Sequence, residues 1–133
     1  MVLSRRVITF GTFDVFHIGH VNILERAKQE GDYLIVGVSS DALNFSKKQR
    51  YPVYNQQQRV KIVQSLRFVD DVFIEESLEL KPSYIEDYRA DVLVMGDDWA
   101  GRFDDMKKLC EVCYLPRTPS ISTTEIIEVV KAL

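Results

Sequence analysis

Five short runs rich in β-branched and large apolar residues punctuate this chain: Val7–Phe10, Tyr33–Val38, Asp71–Ile74, Val92–Met95 and Glu111–Leu115. Each is nearly continuous in apolar character rather than alternating, which is the pattern of strands covered on both faces. Segments with helical spacing lie between and after them. Val21, Leu24 and Ala27–Lys28 follow the first run, and Val60, Ile62, Val63 and Leu66 form a second stripe. Ile85 with Tyr88 and Met106 with Leu109 mark two more, and Ile126, Ile127, Val130 and Leu133 mark a closing helix. Strand and helix alternating in this way require right-handed crossovers. The expected fold is therefore α/β, a Rossmann-like, doubly wound, five-stranded parallel sheet with helices on both faces. Such sheets bind ligands beyond the carboxyl ends of their strands, where the strand order reverses.

Composition narrows the class. The 133 residues show no internal repeat, low-complexity tract or Gly/Ser linker, so residues 1–133 read as one domain. Lys plus Arg total 17 against 20 for Asp plus Glu, and a net charge of −3 argues against a nucleic-acid partner. No apolar run approaches the roughly 20 residues that span a bilayer, and the first residues lack a signal-peptide core. With only two cysteines and no disulfide framework, a cytoplasmic protein without a membrane partner is expected. Cys110 and Cys113 form a CxxC, but their place in the fifth strand run favours a buried structural role over a redox pair. Trp99 and the tyrosines read as core or dimer surface.

The chemistry-bearing residues fall just after the strand runs. Gly11-Thr12-Phe13-Asp14-Val15-Phe16-His17-Ile18-Gly19-His20 leads from the first run into a helix. Glycines permit a tight turn, and free N–H groups at a helix start favour an anion. His17 and His20 stand three residues apart on one face, where both reach the same phosphate. A pair of capping histidines without a ligand is the plainer alternative. Arg117 offers a planar fork for phosphate oxygens, and Ser122, Thr123 and Thr124 offer hydroxyls and a helix cap, with Glu125 completing a capping-box pattern. Gly96 lets a ligand approach the backbone, and either Asp97 or Asp98 accepts hydrogen bonds from it. Ser46-Lys47-Lys48-Gln49-Arg50 reads as a basic loop after the second strand.

With GTFDxxHxGH around His17 and His20, MGDDW at residues 95–99, and Arg117-Thr118-Pro119-Ser120-Ile121-Ser122-Thr123-Thr124, the chain resembles the cytidylyltransferase branch of the HxGH nucleotidylyltransferase superfamily. The resemblance runs through nearly the whole chain. It points to the small bacterial members that make CDP-glycerol from CTP and glycerol-3-phosphate for teichoic acid and related polymers. It implies that Thr12, Phe13, His17, Ile18, Gly19, His20, Gly96, Asp98 and residues 117–124 bind the nucleotide. It also implies that Lys47, Lys81 and Arg59 bind the acceptor, and that His17, His20, Lys47 and Arg117 are catalytic. Magnesium is expected to accompany CTP with no protein metal site, and a homodimer is expected. Three positions depart from the family: Ser120 replaces a glycine, Gln49 stands where the second of two lysines is found, and Leu78 replaces a tryptophan. Either Lys48 or Arg50 is available in place of that lysine. Alternatives within the fold are another phosphorylated small alcohol or amino acid as acceptor, or adenylyl transfer.

Overall fold

The computed structural model describes residues 4–119 and 121–133. Strands β1 (Arg6–Gly11), β2 (Tyr33–Ser39), β3 (Asp71–Glu75), β4 (Val92–Gly96) and β5 (Glu111–Leu115) form one sheet in the order β3-β2-β1-β4-β5. Every pairing is parallel. All five expected runs are strands, each within a residue of its reading at either end. The order moves outward from β1 to β3, then returns to place β4 on the other side of β1. The reversal therefore lies between β1 and β4, and Gly11 and Gly96 end those strands side by side at the crevice such a sheet offers a ligand.

Alternation along the strands divides the core. Val7, Leu34, Val36, Val38, Val92 and Val94 pack on one face with Leu24 and Ala27 of α1 (Ile18–Gln29) and Val63 of α3 (Gln56–Gln64). Ile8, Phe10, Ile35, Leu93 and Met95 pack on the other with Ile85 of α4 (Lys81–Asp87) and Met106. Gly37 is required where Phe10 meets Phe73 edge to face, because a Cβ there would lie 2.6 Å from the Phe10 ring.

Three segments differ from the sequence expectation. Residues 46–48 are not loop but the last turn of α2 (Asp41–Lys48), which Ser40 caps by accepting from Leu43 N at 3.0 Å. The Met106–Leu109 stripe forms a 3₁₀ turn, Asp104–Lys108, with only Met106 buried. In α5 (Thr123–Lys131) the apolar stripe is only partly covered: Val130 is 60% and Leu133 97% exposed. Cys113 lies in β5 and Cys110 just before it. Both thiols are free and half-buried, and burial raises both pKa values, that of Cys113 to about 11. Among the described residues, no helix is long and apolar enough to cross a membrane.

Candidate active site

The β1–α1 connection turns sharply through two residues with left-handed backbone, Phe13 (φ 56°) and Val15 (φ 46°). Such a φ is strained for a β-branched residue, and strain of this kind concentrates at functional sites. The turn folds Phe13 back over Gly11, where a Cβ would lie 2.7 Å from the ring. His17 then caps α1: its Nδ1 accepts from Gly19 N at 3.0 Å, while its own backbone N donates to Nδ1 of His20 at 3.2 Å. The two imidazoles stack at 3.8 Å. Because both Nδ1 atoms accept, each neutral ring carries its proton on Nε2. Burial, reinforced by the Arg117 charge, lowers the His17 pKa. Burial and then His17 itself lower that of His20 to about 3. Both rings are thus neutral Nε2–H donors at pH 7. Capping consumes Nδ1 of each ring and leaves Nε2 available to a ligand.

These residues line a cavity of about 490 Å³ at the strand-order reversal. Its opposite wall comes from the β5–α5 connection. Arg117 reaches across to within 3.9 Å of Asp98 Oδ2, joining the exits of β5 and β4. The segment behind Arg117 is fixed on α1, since Arg26 donates to Pro116 O at 2.8 Å and Asn22 to Thr118 Oγ1 at 3.0 Å. Ser122 caps α5 by accepting from Glu125 N at 3.1 Å, which brings a second helix N-terminus to the same cavity. The third wall is Lys48 with residues 50–53. Asp14 holds it by accepting from Val53 N at 2.7 Å and Tyr54 N at 2.9 Å, while its carbonyl accepts from Thr123 Oγ1 at 2.8 Å. Lys48 and Arg50 line the cavity. Gln49 does not: it ends α2 in a left-handed turn (φ 59°) with its amide toward Ser46 O.

A smaller cavity of about 160 Å³ adjoins the first and shares Phe10, Gly11, Thr12, Met95 and Trp99 with it. Lys47 and Lys81 both line it, as does Leu78. Lys47 is exposed overall, but its ammonium is desolvated enough at this wall to lower its pKa. Glu75 opposes that shift, and Lys81 and Lys48 add to it. Lys81 is buried, ion-paired to Glu75 at 2.5 Å, and lies 4.4 Å over the Phe10 ring.

Most of the expected site residues thus converge. Thr12, Phe13, His17, Gly19, His20, Gly96, Asp98, Arg117, Thr118 and residues 121–124 line the large or the shared wall. Three do not. Ile18 points outward at 57% exposure, because the His17 cap directs the next residue away from the turn. Pro119 lines neither cavity, and Ser120 lies outside the described residues. Arg59 is a correction: it is 0% exposed and touches neither cavity. Its guanidinium donates to Thr12 O, Ser39 O and Tyr54 O and pairs with Asp41 at 2.7 Å, so four of its five protons are used inside the fold and the enclosed group reaches no acceptor. Trp99 lies outside the core and lines both cavities. Asn44 was not legible at all. It is buried in α2, accepts from Thr12 Oγ1 at 2.9 Å and donates to Ser39 and Ser40. Asp14 had a signal, its place inside the GTFD run, but not a stated role.

Comparison with known proteins agrees with this arrangement. A family profile described as cytidylyltransferase-like matches residues 8–129. A glycerol-3-phosphate cytidylyltransferase of Bacillus subtilis (strain 168) is 50% identical, covering 97% of this chain and 99% of its own. One from Staphylococcus aureus (strain NCTC 8325 / PS 47) is 47% identical, covering 92% of each. Among solved structures, a lipopolysaccharide core biosynthesis protein from Thermoplasma volcanium GSS1 superimposes with a TM-score of 0.75 over 86% of this chain and 98% of that one. At 22% identity, that is a likeness of fold. A histidine pair capping the helix after β1, an arginine after β5 and a profile match across nearly every residue place this chain in the cytidylyltransferase-like family.

Proposed function

We propose that this protein transfers CMP from CTP to a small phosphorylated polyol, glycerol-3-phosphate first among them, releasing pyrophosphate. The observation that carries the reading is the junction of the two cavities. The large one has neutral imidazole donors, two helix N-termini and Arg117, and the small one beside it is walled by Lys47 and Lys81. A nucleotide fits the first volume and a three-carbon phosphate the second.

The acceptor phosphate is already ionised at neutral pH and is itself the nucleophile, so no general base is needed. One of its oxygens attacks the α-phosphorus. The bond from that phosphorus to the oxygen bridging to the β-phosphate breaks, and pyrophosphate leaves with the electron pair. The protein's contribution is alignment and stabilisation of charge where it grows. The Nε2–H groups of His17 and His20 donate to the α-phosphate. Arg117, with Lys48 or Arg50 from the facing wall, holds the leaving pyrophosphate. Lys47, on the wall of the small cavity, draws the acceptor phosphate beside the nucleotide. Neutral histidines suit this role, because a donor that keeps its proton through the reaction needs no return step.

Among the described residues, no group of three or more His, Cys, Asp or Glu side chains stands ready to hold a metal. Magnesium would enter on the triphosphate oxygens as their counter-ion, and no step is assigned to a protein-held metal. A cytoplasmic homodimer serving teichoic acid or surface polysaccharide synthesis extends the same reading, and sedimentation equilibrium tests the dimer. The function itself is tested by pyrophosphate release with magnesium, crossing CTP, ATP, UTP and GTP with glycerol-3-phosphate and other phosphorylated alcohols. Turnover confined to CTP with a polyol phosphate is expected. Turnover with ATP alone would move the chain to adenylyl transfer.

A further inference from the structure

The small cavity contains a group that phosphate binding does not explain. Glu75 ends β3, is 2% exposed and lines that cavity, yet a carboxylate repels the phosphate that Lys47 attracts. Its Oε2 is committed to Lys81 Nζ at 2.5 Å. Its Oε1 has no hydrogen-bond partner among the described residues. Within the same residues, no fully enclosed side-chain nitrogen or oxygen lacks a partner, so Oε1 is not enclosed and opens on the cavity. The hydroxyl side chains on this wall are occupied. The hydroxyls of Thr12 and Ser39 bond each other at 3.1 Å and Asn44 at 2.9 and 2.8 Å. Apart from the Lys47 ammonium and the Trp99 indole, the remaining wall is apolar: Phe10, Met95, Phe103 and Leu78.

We infer that Glu75 determines acceptor specificity by accepting a hydrogen bond from a hydroxyl of the phosphorylated polyol through Oε1. This rests on the function proposed above. Lys81 is the positioning residue that makes the carboxylate tolerable there: the pair is neutral overall, so the cavity keeps the single net positive charge of Lys47 for the phosphate. The Lys81 ammonium is held in turn against the rings of Phe10 and Phe103 at 4.4 and 5.3 Å. An acceptor with a hydroxyl satisfies Oε1. An alkyl phosphate of the same length desolvates it and gives nothing back, and sites built to bond a hydroxyl reject the analogue lacking it far more strongly than apolar pockets reject a size change.

The test compares kcat/KM at saturating CTP for glycerol-3-phosphate, 3-hydroxypropyl phosphate and propyl phosphate. In the wild-type protein propyl phosphate is expected to be about 10- to 100-fold poorer than glycerol-3-phosphate, with 3-hydroxypropyl phosphate between them. The double variant Glu75→Leu/Lys81→Met removes both charges at similar volume, a replacement buried pairs commonly tolerate. It is expected to bring the ratio below about threefold while the KM for CTP stays within about threefold of wild type. A merely structural role would lower all acceptors together and leave the ratio alone. A wild-type ratio already below threefold overturns the inference without any variant, even if the double variant fails to fold. So does a folded double variant that keeps the wild-type ratio. Both results leave the proposed function standing. No turnover by wild type with CTP and any polyol phosphate overturns both.

Discussion

His17 uses Nδ1 to cap α1, while its ring lines the large cavity with Nε2 left for a ligand. Asparagine at a cap position keeps an acceptor oxygen but has nothing in place of Nε2. His17→Asn is therefore expected to melt within a few degrees of wild type and to lose about 10²- to 10³-fold in turnover, the scale of a lost oxyanion donor. His17→Ala should lose the same turnover and about 1 kcal/mol of stability besides. Thermal melting together with pyrophosphate release separates the two effects, and near wild-type turnover in His17→Asn would sink the assignment. His20 makes a different prediction, about pH. Its folded pKa near 3 lies below the ordinary 6.5, so between those values the unfolded chain takes up a proton that the folded protein does not. Stability from this residue is present above pH 6.5 and falls as pH drops through that window, at up to about 1.4 kcal/mol per pH unit. Urea unfolding at pH 7 and pH 4.5 should show wild type losing about 2 kcal/mol more than His20→Gln, and equal losses would refute the shift. The pairing of these histidines was readable from their spacing. Their stacking and proton positions were not, because both depend on the extended backbone of His17 and the left-handed turn before it.

At the level of whole elements, α2 shows why part of the site was illegible. Its sequence DALNFSKK carries few apolar residues, and its buried face includes Asn44, so no stripe announced a helix and the basic end read as loop. The consequence is positional. Within a helix, Lys47 and Lys48 diverge, Lys47 to the small cavity and Lys48 to the large one, and the left-handed Gln49 swings Arg50 to the latter as well. Lys48 and Arg50, on either side of Gln49, therefore both line the large cavity. Because Gln49 has φ 59° and its side chain faces the helix end, Gln49→Gly should raise stability by about 0.5–1 kcal/mol and leave the KM for CTP unchanged. Lys48→Ala and Arg50→Ala should each raise that KM several-fold. Steady-state kinetics with CTP decides it: a larger effect from Gln49→Gly than from Arg50→Ala would place the nucleotide contact on residue 49. For α5 the reverse holds. Its apolar stripe was plain, but an apolar pattern records what is available for burial, not what is buried, and its last turn is exposed.

Across the whole molecule, the sheet and its ligand edge followed from five apolar runs, because parallel strands covered on both faces leave little choice of hand or binding edge. What local pattern does not carry is how the loops at that edge are tied together, since the ties join residues far apart in sequence. Arg59 is the case in point. On an amphipathic helix a lone arginine looks like a surface or substrate cation. In the folded protein it is fully buried, and one guanidinium gathers Thr12 O from the β1 exit, Ser39 O from the β2 exit, Tyr54 O from the 50–55 loop and the Asp41 carboxylate of α2. Those four groups belong to the segments that shape both cavities. Removing the fork leaves three carbonyls and a carboxylate without their donor, and a lysine has neither the reach nor the geometry to serve all four. Arg59→Lys and Arg59→Met should therefore each cost about 3–5 kcal/mol, lowering the melting temperature by more than about 10 °C. Affinity for CTP and for the acceptor should fall together, since the walls of both cavities loosen at once. An acceptor ligand would behave differently: its loss would raise the acceptor KM alone and leave melting unchanged. Thermal unfolding of Arg59→Lys alongside separate KM values for the two substrates distinguishes a strut beneath the site from a contact within it.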